Sequence, residues 1–166
     1  MRNRQLTTTW ENPRIPVQAK LAAAWTSFMF LYVYVDILAF YKPGVVDDIL
    51  IGVVWEFDIT QTWAITALTL LAIPILMVVL SIALPARVNR IANLSVASLQ
   101  VPFAAFNAAG EWGEPWMYFY ILGVALELVV LAVILHSAWT WPRRATSPST
   151  LAAGLKTGLH RTPHQV

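Results

Sequence analysis

Residues 88–110 read Val-Asn-Arg-Ile-Ala-Asn-Leu-Ser-Val-Ala-Ser-Leu-Gln-Val-Pro-Phe-Ala-Ala-Phe-Asn-Ala-Ala-Gly. As a helix this stretch spans about 30 Å of hydrocarbon, yet it carries a row of amides. Asn89, Asn93, Gln100, Asn107 and the following Glu111 are separated by 4, 7, 7 and 4 residues. Those steps keep all five on one helical face. Ala97 and Ala104 fill that face between the amides, and Ala92, Ser95, Ser98, Ala105, Ala108 and Ala109 keep the rest of the helix slim. Small side chains let neighbouring helices approach closely in a bilayer. The stretch therefore belongs in the middle of a bundle, away from lipid.

Three further apolar runs flank it, at about 17–41, 63–84 and 116–139, each long enough to span a membrane as a helix. The chain is 58% hydrophobic and 12% charged, where a soluble domain is about a quarter charged. Helices satisfy every backbone polar group within the segment, as lipid demands. The expected fold is all-α, an antiparallel four-helix transmembrane bundle. It comprises an N-terminal segment (1–16), a membrane domain (17–142) and a flexible tail (143–166) rich in Ser, Thr, Pro and Gly.

Charge sets the expected orientation. Of eleven Lys and Arg, only Lys42 falls on the side of the first and third connections. Asp47, Asp48, Glu56, Asp58, Glu111 and Glu114 share that side. Short Lys- and Arg-bearing loops stay cytoplasmic, so both termini are expected inside, in a bacterial inner membrane. The net charge of +2 is then explained by orientation and anionic lipid. The bilayer, and no nucleic acid, is the expected partner. The chain has no Cys, which excludes disulfides, thiolate catalysis and Cys-ligated metals. Residues 1–16 are polar and basic, and the first run exceeds the apolar core of a cleaved signal peptide, so it reads as a retained anchor.

The connections are also informative. After the turn Lys42-Pro43-Gly44, the residues Val45, Val46, Ile49, Leu50, Val53 and Val54 recur near helical spacing opposite Asp47 and Asp48. They predict a short amphipathic surface helix between spans one and two. Trp55 and Trp63 are expected at headgroup level, and Trp139 and Trp141 in the opposite belt. Pro74 should bend the second span, leaving the Leu70 carbonyl without its donor, and Pro85 should end it.

Two acids stand where acids are costly. Asp36 lies about 8 Å below the outer end of the first run, and Glu127 near the centre of the last. A charge at the bilayer centre costs about 3 kcal/mol on insertion scales, so such a carboxyl is neutral, hydrogen-bonded or facing water. By depth, Gln100 and Glu127 fall near the midplane, with Asn107 and Asp36 in the outer half. Trp25, Met29 and Tyr32 share the face of Asp36, and Tyr120 and Gly123 that of Glu127. These residues predict a polar cleft with aromatic walls, holding a small lipophilic ligand. Two carboxyls in unlike surroundings form an acid/base pair, with Glu127 as acid and Asp36 as base or electrostatic stabiliser. Gln100, Asn107 and Asn93 would bind substrate, and Trp25, Tyr32 and Tyr120 would offer π faces to a developing cation. Isomerisation, cyclisation or epoxide opening fits this set.

Other readings compete. Asp36 and Glu127 can serve packing alone, and intramembrane amides often act as interhelical glue. A homo-oligomeric proton-coupled transporter and an accessory subunit use the same residues differently. Arg90 with Asn89 reads as an orientation signal or a headgroup contact, and His136 as an interface residue. His160 and His164 lack a third ligand for a metal. No nucleotide loop, zinc-protease motif or Ser elbow is present, so no cofactor or metal is assigned.

Lys20-Leu21-Ala22-Ala23-Ala24-Trp25, Tyr34-Val35-Asp36-Ile37, Tyr41-Lys42-Pro43-Gly44, Ile59-Thr60-Gln61-Thr62 and Ala86-Arg87-Val88-Asn89-Arg90-Ile91-Ala92-Asn93 follow one another along the chain as one string. With an acid in the last span, it resembles a family of small bacterial four-helix membrane proteins of unassigned function, over about residues 18–142. The resemblance implies architecture and no activity. A looser likeness, in site type alone, is to membrane isomerases and cyclases that use buried carboxyls.

Overall fold

The computed structural model of the chain describes residues 15–109 and 112–142. In order the elements are α1 (Val17–Ala39), α2 (Val45–Leu50), β1 (Val53–Val54), β2 (Phe57–Asp58), α3 (Gln61–Ala83), α4 (Ala86–Ala109) and α5 (Met117–Trp139). The four long helices begin and end within about two residues of the four runs expected from hydropathy, the usual scatter at helix ends. The basic N-terminal segment up to Arg14, Glu111 and the tail with His160 and His164 lie outside the described residues.

Local chemistry explains the boundaries. Pro16 opens α1, and its carbonyl accepts the Lys20 amide at 3.2 Å. The Thr60 hydroxyl caps α3 by accepting the Trp63 amide at 3.1 Å, a contact worth about 1 kcal/mol. Leu84 is extended, with ψ 147°, as the residue before a proline must be. Pro85 then starts the next turn, and its carbonyl accepts the Asn89 amide. Pro74 sits inside α3 as expected, and Pro102 interrupts the backbone ladder of α4 in the same way.

The long helices form a ring. α1 packs against α3 and α5, α4 packs against α5, and α3 touches α4 more lightly. The start of one helix meets the end of its neighbour. Arg90, early in α4, bonds Ala138, late in α5. Gly123, early in α5, lies against Val35, late in α1. Packing is concentrated at one end of the ring. Leu21, Trp25, Phe28, Met77, Ala97, Leu131, Ile134 and Ala138 form the buried core there. The other end is hollow.

The exterior is apolar, with Phe30, Leu68, Val79, Ile82, Leu99 and Val129 among the exposed large side chains. Such a continuous apolar surface requires lipid contact. Among the described residues, α1, α3 and α5 are long and apolar enough to cross a membrane. α4 is as long, at 24 residues, but its amides and Arg90 make it the most polar of the four.

The connection after α1 departs from expectation. The helix covers only Val45–Leu50, and Val53 and Val54 leave it to pair with Asp58 and Phe57 in a small hairpin. Gly52 takes φ 87°, a conformation that glycine adopts freely, and its carbonyl accepts the Ile59 amide at 2.7 Å. Two adjacent β-branched residues after that break favour a strand. Trp55 at the hairpin tip has φ 54°, which costs a non-glycine residue about 1–2 kcal/mol.

Candidate functional site

Four helices and the α2–hairpin segment line a half-open cavity of about 810 Å³, within the range of small-molecule sites. α1 contributes Tyr32 and Asp36, one turn apart. α4 contributes Gln100, Phe103 and Asn107, at the one- and two-turn spacing of the polar stripe. α5 contributes Tyr120 and Glu127, and α3 contributes an apolar wall of Pro74, Leu70 and Leu71. Lys42, Asp48, Trp55 and Trp63 line the part beneath the hairpin.

Polarity is graded with depth. Glu127 is 3% exposed, and its Oε2 has no hydrogen-bond partner among the described residues. Gln100 is half-buried, and Asp36 and Asn107 are exposed. Asp36 and Glu127 line the same cavity. The Asn107 amide donates to the Tyr32 hydroxyl at 3.4 Å. The Tyr32 ring stacks on Phe103, with centroids 6.4 Å apart and planes 12° from parallel. At the rim, Lys42 Nζ lies 5.9 Å from the Tyr120 ring centre, within cation–π reach.

Six of the eight residues predicted for the site border this one cavity: Glu127, Asp36, Gln100, Asn107, Tyr120 and Tyr32. Trp25 and Asn93 do not. Both are 0% exposed and bonded to each other, Trp25 Nε1–H donating to Asn93 Oδ1 at 2.7 Å. The Ser81 hydroxyl donates to the same oxygen at 3.4 Å. Asn93 Nδ2 donates to the Asn89 carbonyl and side-chain oxygens at 2.9 and 2.6 Å, and Asn89 Nδ2 donates to the Ser81 carbonyl. This network links α1, α3 and α4 and leaves no face of Asn93 open to a ligand. Of the stripe, Asn89 and Asn93 are held in this network, and Gln100 and Asn107 border the cavity.

Arg90 lies at the closed end, its Nε–H donating to the Ala138 carbonyl at 3.1 Å and its guanidinium 5.8 Å from the Trp139 ring centre. A cation there satisfies the last turn of α5 and its dipole.

Sequence reading missed Asp48, Phe103 and the pair Gly123–Val35. Asp48 was expected on the solvent side of a surface helix. The turn at Gly44, with φ 90°, decides which face of that short helix covers the cavity. Gly123 has a plainer signal, a small residue one turn from a buried acid. A Cβ there would lie 2.8 Å from Val35 Cγ2, so glycine lets α1 and α5 close up beside the two carboxyls.

Apolar helices around an inner hollow define a helical, multi-pass membrane protein. The chain belongs to DUF6326, a family of unknown function, which matches residues 8–147. That match encloses the segments that resemble small four-helix membrane proteins. No curated protein and no solved structure matches the chain.

Proposed function

We propose that the protein binds a small lipophilic molecule in the intramembrane cavity and exchanges a proton with it through Glu127. One observation carries this reading: a carboxyl oxygen without a partner, on a side chain 3% exposed, at the wall of an 810 Å³ cavity. A buried polar atom left unpaired costs about 1–3 kcal/mol. Such a cost persists where function needs the group. Glu127 delivers a proton to the bound molecule. Asp36, at the wetter mouth, accepts a proton or stabilises the charge that develops. Gln100 and Asn107 orient a hydroxyl or carbonyl. Isomerisation, cyclisation and epoxide opening need only this redistribution of protons.

In this reading all four long helices cross a bacterial inner membrane. The α2–hairpin segment lies outside, and both termini lie inside. Transport would require a second opening at the Arg90 end. The core around Leu131 and Ile134, with the Trp25–Asn93–Ser81 network, fills that end and favours a blind pocket.

The test is lipid extraction after native purification, with mass spectrometry of any retained small molecule, repeated for Glu127→Gln and Asp36→Asn. The expected result is a molecule retained by the wild type and lost from Glu127→Gln, with turnover of that molecule lost in both variants. Equal retention and equal turnover in all three proteins would overturn the proposal.

A further inference from the structure

The charges around the cavity do not balance. Among the described residues its wall carries three carboxyls, Asp36, Asp48 and Glu127, against one ammonium, Lys42, with the Tyr32 and Tyr120 hydroxyls as the other titratable groups. Lys42 stands at the rim over Tyr120, on the loop before α2, whereas Glu127 lies in the buried part with an oxygen that no protein donor reaches. A neutral ligand can supply a hydrogen bond to that oxygen, but once Glu127 has given up its proton it leaves a buried carboxylate without a counter-charge. A cation does both.

The remaining surface suits a cation as well. The stacked Tyr32 and Phe103 rings line the cavity, and the Phe28 ring of the packed core, 6.2 Å from Tyr32, borders it as well. Aromatic faces attract positive charge through their quadrupoles while solvating an apolar body. Tyr120 already receives the Lys42 ammonium in this way.

Resting on the pocket reading above, we propose that the ligand carries a positive charge. It is a lipophilic amine or onium ion whose cationic head sits between Glu127 and Asp36, with its apolar body against the aromatic and Pro74 walls. The charged head enters past Asp48 and Lys42, and its partner inside the membrane is Glu127.

The experiment uses the full chain in phosphatidylcholine nanodiscs, with empty discs subtracted. Tetraphenylphosphonium and tetraphenylborate share one shape and carry opposite charge, and a neutral phenyldiazirine reports on the pocket itself by photolabelling. The wild type should bind the phosphonium at least tenfold more tightly than the borate. Glu127→Gln should lose at least tenfold in phosphonium affinity, Asp36→Asn less, and phosphonium should protect cavity residues from the diazirine. If the diazirine labels the cavity but phosphonium shows no preference over borate in the wild type, the charge proposal fails while the pocket reading stands. If the diazirine labels no cavity residue and neither ion binds, both fail. The comparison of ions in the wild type does not depend on either variant folding.

Discussion

Glu127 and Asn93 are buried polar side chains in opposite circumstances. Asn93 uses its amide fully and holds Trp25, Ser81 and Asn89 together. Asn93→Leu keeps the volume but strands the Trp25 N–H and the Asn89 oxygen. It should lower stability by about 1–3 kcal/mol, read as thermal unfolding in detergent, and leave ligand affinity within about twofold. Glu127 has an unmet oxygen. Glu127→Leu should raise stability by about 1–2 kcal/mol and abolish ligand retention in the same preparation. From sequence both residues look alike, polar groups at mid-helix. Helical phase shows that they face inward, but whether a partner waits there depends on the neighbouring helices. That is why Asn93 and Trp25 read as site residues before the fold was known.

At the level of elements, α1 and α5 close on each other where Gly123 meets Val35. Gly123→Ala should push them apart beside Asp36 and Glu127, costing about 1–3 kcal/mol and weakening ligand retention. Val35→Ala introduced with it should restore both, since it removes the methyl groups that the new Cβ strikes, and a double-mutant cycle measures the coupling. The long helices were legible because hydropathy and Pro16, Thr60 and Pro85 mark their ends. The hairpin was not. Val53 and Val54 continue the helical spacing of Val45, Val46, Ile49 and Leu50, and only the backbone at Gly52 and Trp55 reveals the change of direction. The lid-like position of Asp48 follows from the same turn and was equally hidden.

For the whole molecule, the absence of Cys in the sequence allows a direct test of orientation. A single Cys at Glu56 should react with a membrane-impermeant maleimide on intact cells. One at Arg87 should react only after permeabilisation. The reverse pattern would invert the proposed orientation, and labelling of both without permeabilisation would remove α3 as a crossing. The closed end of the ring has a consequence for biogenesis. α4 is too polar to dissolve alone in hydrocarbon. The groups that quench its inner amides, Trp25 on α1 and Ser81 on α3, are synthesised before it. With α4 crossing as proposed, the nascent chain has a docking seam waiting in the bilayer when α4 leaves the ribosome, and only α5, apolar enough to partition unaided, remains to seal the barrel of helices from the far side.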